Sequence, residues 1–250
     1  GVNYVAWQWK ANGSGSSNED GSITSTVSAN TTAGFSITKY TGTKSNATIG
    51  HGLGTAPSVI FIKDTSNTES WIVGHSGIGF TKNLYLNLTN AEATSSGIWQ
   101  DTAPTSSVFT IGTSDGVNKA SGVHIAYCFA EISGYSSFGT YTGNGNASGP
   151  IIYTNGMKPA FILIKSVGVE EWSITDSTRD PTNRTTTRNL IANATTAEAD
   201  PATRAISYLS NGFEIRHTNS AHNSSGVVYT YMAFAEHPFG GDGVAPATAR

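Results

Sequence analysis

The chain carries one pattern twice. Residues 35–64 read FSITKYTGTKSNATIGHGLGTAPSVIFIKD, and residues 136–166 read SSFGTYTGNGNASGPIIYTNGMKPAFILIKS. Both hold the triplet YTG, a Gly/Asn-rich turn, a proline (Pro57, Pro159) and an apolar run ending in lysine (Lys63, Lys165). A tryptophan follows each run, Trp71 and Trp172. The match continues through NLYLNLTNAEA against NLIANATTAEA, SSVFTIG against SNGFEIR, and GVHIAYCFAEI against GVVYTYMAFAEHP. The offset runs from 101 (Tyr40 to Tyr141) to 106 (Asn83 to Asn189). So many anchors in one order and at one spacing establish an internal repeat, which must be found before any other fold argument.

Within each copy the period is two. VIFIK, FILIK, VHIAYCFAE and VVYTYMAFAE are rich in β-branched and aromatic residues and bounded by Gly, Asn, Ser and Pro, the signature of strands. Each copy offers about seven of them, which predicts an all-β chain of two tandem β-sandwich or jelly-roll-like repeats of about 100 residues. Copy 1 is expected over 35–137, copy 2 over 138–239, and a small, flexible tail over 240–250. Residues 1–34 read as an opening strand, GVNYVAWQWK, followed by a Gly/Ser/Thr-rich linker or long surface loop. The opening strand is either the end of a further copy upstream or a strand that completes the first module's sheet. Two stretches, 88–97 and 195–209, hold enough Ala, Glu and Arg for a short helix.

Composition narrows the function classes. Charged residues make up 12% of the chain and the net charge is −3, with the basic residues scattered. Phosphate-backbone binding needs clustered cations, so no nucleic-acid partner is expected. No apolar run approaches the length of a membrane-spanning helix, so no membrane partner is expected either. Cys128 is the only cysteine, which rules out an intrachain disulfide. Its setting, AYCFAE, reads as a small hydrophobe in a buried strand.

A search for chemistry yields little. The six histidines lack HxH or HExxH spacing, so no metal cluster and no cofactor is expected. Asp176, Asp180 and Asn183 in DSTRDPTN place oxygen ligands at short spacing, a weak calcium candidate outside the EF-hand pattern. GSGSS at 13–17 lacks the strand–turn–helix context of a nucleophile elbow. Many N-x-[ST] triplets, Asn223 among them, arise from composition. Acids shared by the copies are few: Glu69 or Glu171 near the Trp, Glu92 with Glu198, and Glu131 with Glu236. Glu131 and Glu236 read as structurally partnered. Among the tryptophans, Trp71 and Trp172 recur and read as core. Trp99 has no counterpart in copy 2 and is the surface candidate for stacking on a glycan.

The pieces YVAWQWK, GFSITKYTG, TIGHGLGTAPSVIFIK, YCFAEISGYSSFGTYTGNG, YMAFAEHPFGG and GVAPATAR together resemble a C-terminal all-β module of virion proteins from tailed phages of marine bacteria and cyanobacteria. Such modules often stand behind a LamG-like domain. The resemblance covers nearly the whole chain and transfers no catalytic residue. It implies a non-enzymatic structural protein on the virion surface, a tail-fibre or appendage module serving host attachment. The implied partners are other virion proteins, a host surface glycan and further copies of the chain, trimeric by analogy. The lack of an initiator methionine leads to the expectation of further chain upstream. A capsid decoration protein and a polysaccharide depolymerase are the alternatives.

Overall fold

Why the central strands carry almost no polar residue becomes clear in the computed structural model, which describes residues 4–181, 183, 186–199 and 204–236. The strands of copy 1 are β1 (Ser16–Asn18), β2 (Ser25–Asn30), β3 (Phe35–Thr41), β4 (Ala47–Gly50), β5 (Val59–Asp64), β6 (Ile72–His75), β7 (Lys82–Tyr85), β8 (Ala93–Thr94), β9 (Val108–Ile111) and β10 (Val123–Phe129). Those of copy 2 are β11 (Ser136–Thr142), β12 (Ile151–Tyr153), β13 (Pro159–Ser166), β14 (Ser173–Asp176), β15 (Leu190–Ile191), β16 (Ile206–Leu209), β17 (Gly212–Ile215) and β18 (Val228–Ala235). Three single-turn helices intervene: α1 (Ser96–Trp99), α2 (Asp115–Asn118) and α3 (Ser220–Asn223).

Each copy builds a large inner sheet and a small outer one. The large sheets run β1-β2-β3-β10-β5-β6-β7-β8 and β11-β18-β13-β14-β15. The order β3-β10-β5-β6-β7 is thus repeated strand for strand in β11-β18-β13-β14-β15. The small sheets are β4-β9 and β12-β17-β16.

Side-chain alternation shows how the layers stack. Along β5, Ile60 and Ile62 enter a core with Ile49, Phe109 and Ile111 of the outer sheet. Val59 and Phe61 point the other way, into a cluster shared with copy 2. Along β13, Ile162 and Ile164 face Ile152, Phe213 and Ile215, whereas Phe161 and Leu163 face copy 1. The order is therefore outer sheet, inner sheet, inner sheet, outer sheet. The central strands β5 and β13 are covered on both faces and so read as nearly continuous apolar runs, where a strand with one wet face would alternate.

The YTG triplet has a mechanical reason. Tyr40 Oη donates to the Val117 carbonyl in α2 at 2.7 Å; Tyr141 Oη donates to the His222 carbonyl in α3 at 2.8 Å. A Cβ on Gly42 would lie 2.3 Å from the Lys119 carbonyl oxygen, and one on Gly143 would lie 2.3 Å from that of Ser224. Only glycine lets the strand end pass the helix turn this closely.

The structure corrects the reading of residues 1–34. The expected linker contains β1 and β2, which extend the first inner sheet by pairing onto β3. Its strands are short and built largely from Ser, Thr and Ala, with Val27 buried in β2 and Ile23, between β1 and β2, packed against the copy 1 core. The opening segment, from residue 4 to residue 15, forms no strand. Instead Trp7, Trp9 and Ala11 pack on the cluster between the two inner sheets. β11 starts at Ser136, two residues before the expected boundary. The 88–97 stretch holds β8 and the start of α1, and 195–209 ends in β16 with no helix among its described residues. The tail over 240–250 lies outside the described residues.

Candidate functional site

The inner face of each large sheet is an aromatic surface. Where the two faces part, they leave a cleft of about 310 Å³ lined by Trp9, Ile37, Phe61, Trp71, Tyr127 and Leu163 among others. Register explains the lining, because Ile37, Tyr127 and Phe61 form one row across β3, β10 and β5. Trp71 stacks on Tyr127 with ring centroids 6.1 Å apart and planes at 22°, and its backbone N–H donates to Asn87 Oδ1 at 2.9 Å. Trp9 stands edge-on to Phe161 and Phe234 at 5.5 and 5.2 Å. Among the described residues no carboxylate, histidine or lysine lines the cleft. Its lining is almost wholly apolar, which suits a flat or aliphatic group.

A second depression, about 210 Å³, is lined by Asn12, Ser14, Ser16, Asn18 and Ser28 with Gly52. It belongs to the segment expected to be a linker. Several of its polar groups are already engaged: Asn12 N–H donates to Ser28 Oγ at 2.9 Å, Ser28 Oγ donates to the Gly13 carbonyl at 2.9 Å, and Asn18 Oδ1 accepts from Asp20 N–H at 3.1 Å.

The glycan candidate Trp99 is corrected. Its side chain is 1% exposed and sits in the copy 1 core, edge-on to Phe80 at 5.6 Å. A Cβ on Gly74 would lie 2.8 Å from its ring, so a glycine in β6 makes room for the indole. The lack of a copy 2 counterpart reflects a core packed differently, not a surface role. Trp99→Ala is expected to cost about 3–5 kcal/mol, read by denaturant unfolding; a cost under about 1 kcal/mol would place Trp99 at the surface after all. Of the recurring pair, Trp172 is buried and donates its indole N–H to the Tyr85 carbonyl at 2.8 Å. Trp71 is half-buried in the cleft.

The calcium candidates are corrected too. Asp176 accepts from the Arg179 backbone at 2.9 Å and from its guanidinium at 2.6 Å. Asp180 accepts from the Arg188 backbone amide. Asn183 is exposed and brackets Tyr208, donating to its carbonyl at 3.0 Å and accepting its N–H at 2.8 Å. An arginine and backbone amides thus occupy the oxygens a cation would need. Among the described residues no group of three His, Cys, Asp or Glu is placed to hold a metal ion.

Other buried titratable groups make hydrogen bonds within the fold, and His75 bridges the inner sheets. His75 Nε2 donates to the Tyr231 carbonyl across the two inner sheets at 3.2 Å, and its Nδ1 accepts from Gly77 at 3.0 Å. Burial lowers its pKa to about 4. His217 Nδ1 accepts from Asn219, so its Nε2 donates to His222 Nδ1 at 3.0 Å. The proton of His222 then sits on Nε2, which has no partner among the described residues. Burial lowers His217 to about 4, and burial with the neighbouring His217 and Arg204 lowers His222 well below the usual histidine value. Lys165 is fully buried, donates to the Ser166 and Gly168 carbonyls at 2.7 Å, and is lowered by burial to about 8. Burial raises the Cys128 thiol to about 12, which leaves it unreactive.

Asn118 and Asn223 were not legible as a pair in the sequence. Both are fully buried. Asn118 accepts from Thr43 N–H at 2.7 Å and donates to the Ser45 and Gly112 carbonyls at 2.6 and 2.8 Å. Asn223 accepts from Asn144 N–H at 2.8 Å and donates to the Asn146 and His217 carbonyls at 2.8 and 2.7 Å. Each clamps the turn after YTG to the helix behind it. The signal was an asparagine three residues before a Ser-Gly pair in one copy and two before it in the other.

A family model described as "Domain of unknown function (DUF7483)" matches residues 1–238. No curated protein matches the chain, and no solved structure matches it.

Proposed function

Starting from a chain that belongs to this domain family of unknown function, we propose a non-enzymatic structural module of a tailed-phage virion surface, a tail-fibre or appendage unit serving host attachment. The observation that carries the non-catalytic part is the state of four of the acids common to both copies. Glu131 accepts from the Phe138 backbone amide at 2.8 Å, and Glu236 pairs with Lys158. Glu92 pairs with Lys82, and Glu198 pairs with Arg179 at 2.6 Å. A depolymerase needs two carboxylates facing one groove with room for a water or a sugar. These four are each engaged by a partner within the fold. The stacked inner sheets supply the other half of the reading, a rigid core from which loops are presented, and the sequence resemblance supplies the phage context. Homo-oligomers, other virion proteins and a host glycan are the proposed partners. Among the described residues no helix is long and apolar enough to cross a membrane.

Labelled protein should bind cells of a susceptible marine bacterium or cyanobacterium, and incubation with their surface polysaccharide should release no oligosaccharide. Release of oligosaccharide would establish the depolymerase reading. Failure to bind cells, together with density for the module at many sites over the capsid, would establish the decoration reading.

A further inference from the structure

Equivalent strands of the two copies differ in one respect. In copy 1 the edge of β4 is covered by the chain itself. Thr48 N–H donates to Ser22 Oγ at 2.9 Å, the Thr48 carbonyl accepts from Ile23 N–H at 3.2 Å, and Ile23 bridges Ile49 in parallel. Ile49 pairs with Phe109 in β9 as Ile152 pairs with Phe213 in β17, so Ile151 occupies the place of Thr48.

Nothing comparable covers β12 among the described residues. Ile215 N–H donates to the Pro150 carbonyl and Thr154 N–H to the Asn211 carbonyl, so residues 150, 152 and 154 turn their backbone groups inward. In an antiparallel ladder the residues between them turn outward. The N–H groups of Ile151 and Tyr153 and the carbonyl of Ile151 therefore face away from the sheet. The side chains of Ile151 and Tyr153 are 50% and 67% exposed. Open edges are ordinarily blunted by charge, yet GPIIYTN, residues 149–155, carries none.

We propose that β12 is a docking edge for an extended peptide segment of a partner protein, added as a further strand. The segment β4 already wears defines its chemistry: uncharged where it pairs, with a Ser or Thr hydroxyl for the outward N–H and a β-branched apolar residue beside the isoleucine, as Ser22-Ile23 provides. A second copy of this chain fits less well. Its own such segment is engaged on β4, and two three-residue strands paired about a two-fold axis fall far short of the roughly 1,000 Å² a stable interface buries. The inference is independent of the virion reading.

The test uses the whole chain and a synthetic peptide of its residues 19–26, with amide exchange read by NMR. Saturating peptide should slow the Ile151 and Tyr153 amides by roughly tenfold or more. Ile151→Pro should abolish that effect at an unchanged melting temperature, because the lost N–H faces outward; Thr48→Pro should lower the melting temperature. Should Ile151→Pro fold poorly, Ile151→Lys keeps the N–H and should weaken peptide binding through its charge. Unchanged exchange at millimolar peptide, protection confined to other amides, or amides already slow in the free monomer would overturn the proposal. Slowing that follows protein concentration without peptide would overturn it in favour of self-association.

Discussion

Phe234→Ala should unfold both copies together. The ring of Phe234 lies between the inner sheets, within 6.0 Å of Trp9, Phe129, Tyr135, Phe138 and Phe161, and is 7% exposed. Removing it leaves a void bordered by rings that cannot collapse independently, because each is fixed to a sheet. The expected loss is about 3–5 kcal/mol. Its location matters more than its size. Phe129 and Phe35 of copy 1 and Phe161, Leu163 and Met232 of copy 2 share this cluster, so neither inner sheet has a solvated face to fall back on. Calorimetry of the wild type should show one transition whose calorimetric and van't Hoff enthalpies agree, and the variant should show one transition at lower temperature. Two separable transitions, with only the copy 2 transition moved by the substitution, would mean that the copies fold independently and that the shared cluster is a loose contact.

Acid should loosen the same interface before it protonates most carboxylates. His75 is neutral in the fold, with a pKa of about 4 against 6.5 for the free side chain. Between those values the unfolded chain binds the proton and the folded chain does not, so stability falls as pH is lowered. Above pH 6.5 the penalty is absent; below pH 4 it is complete, at about 3 kcal/mol for His75 at 1.36 kcal/mol per unit. His217 and His222, both lowered, push in the same direction. Protonation at His75 Nδ1 also removes the acceptor that Gly77 N–H uses. Urea unfolding at intervals from pH 7.5 to 4 should therefore show a steep fall in stability, and His75→Gln should flatten it whatever its own cost at pH 7.5. A slope unchanged by His75→Gln would remove this histidine from the account. Lower down, Asp64 adds a second window. Burial raises its pKa, but bonds from Ser66 N–H and Asn67 outweigh it and hold the group below the usual value, so its contribution is present at neutral pH and lost below about pH 4.

Trp99 and the segment 11–34 show where sequence reasoning stops. A tryptophan without a counterpart in the other copy reads as a surface candidate from sequence alone. Cores of duplicated modules also drift: Gly74 and Phe80 make space for Trp99. The 11–34 segment was read as linker because Ser, Thr, Gly and Asn dominate it, and its strands bury only Ser25 and Val27 fully. A strand added to an existing sheet is held by backbone bonds, which leave no trace in side-chain pattern. The calcium trio failed for a related reason. Spacing along the chain shows which oxygens are near each other, but not that Arg179 sits between Asp176 and Glu198 with its guanidinium 5.6 Å from the Trp7 ring.

The sequence alone determined the all-β character and the duplicated order of anchors, because both are local: a period of two and a recurring string survive without knowledge of any distant contact. The tertiary structure alone decided what the inner sheets bury their faces against, that the opening tryptophans fill the seam between them, and that β4 is covered while β12 is bare among the described residues. Each of these depends on which surfaces meet between segments far apart in the chain, from 26 residues for Ile23 on Ile49 to more than a hundred for Trp9 on Phe129. Apolar residues at every position of a strand say that both faces are buried, and only packing says against what.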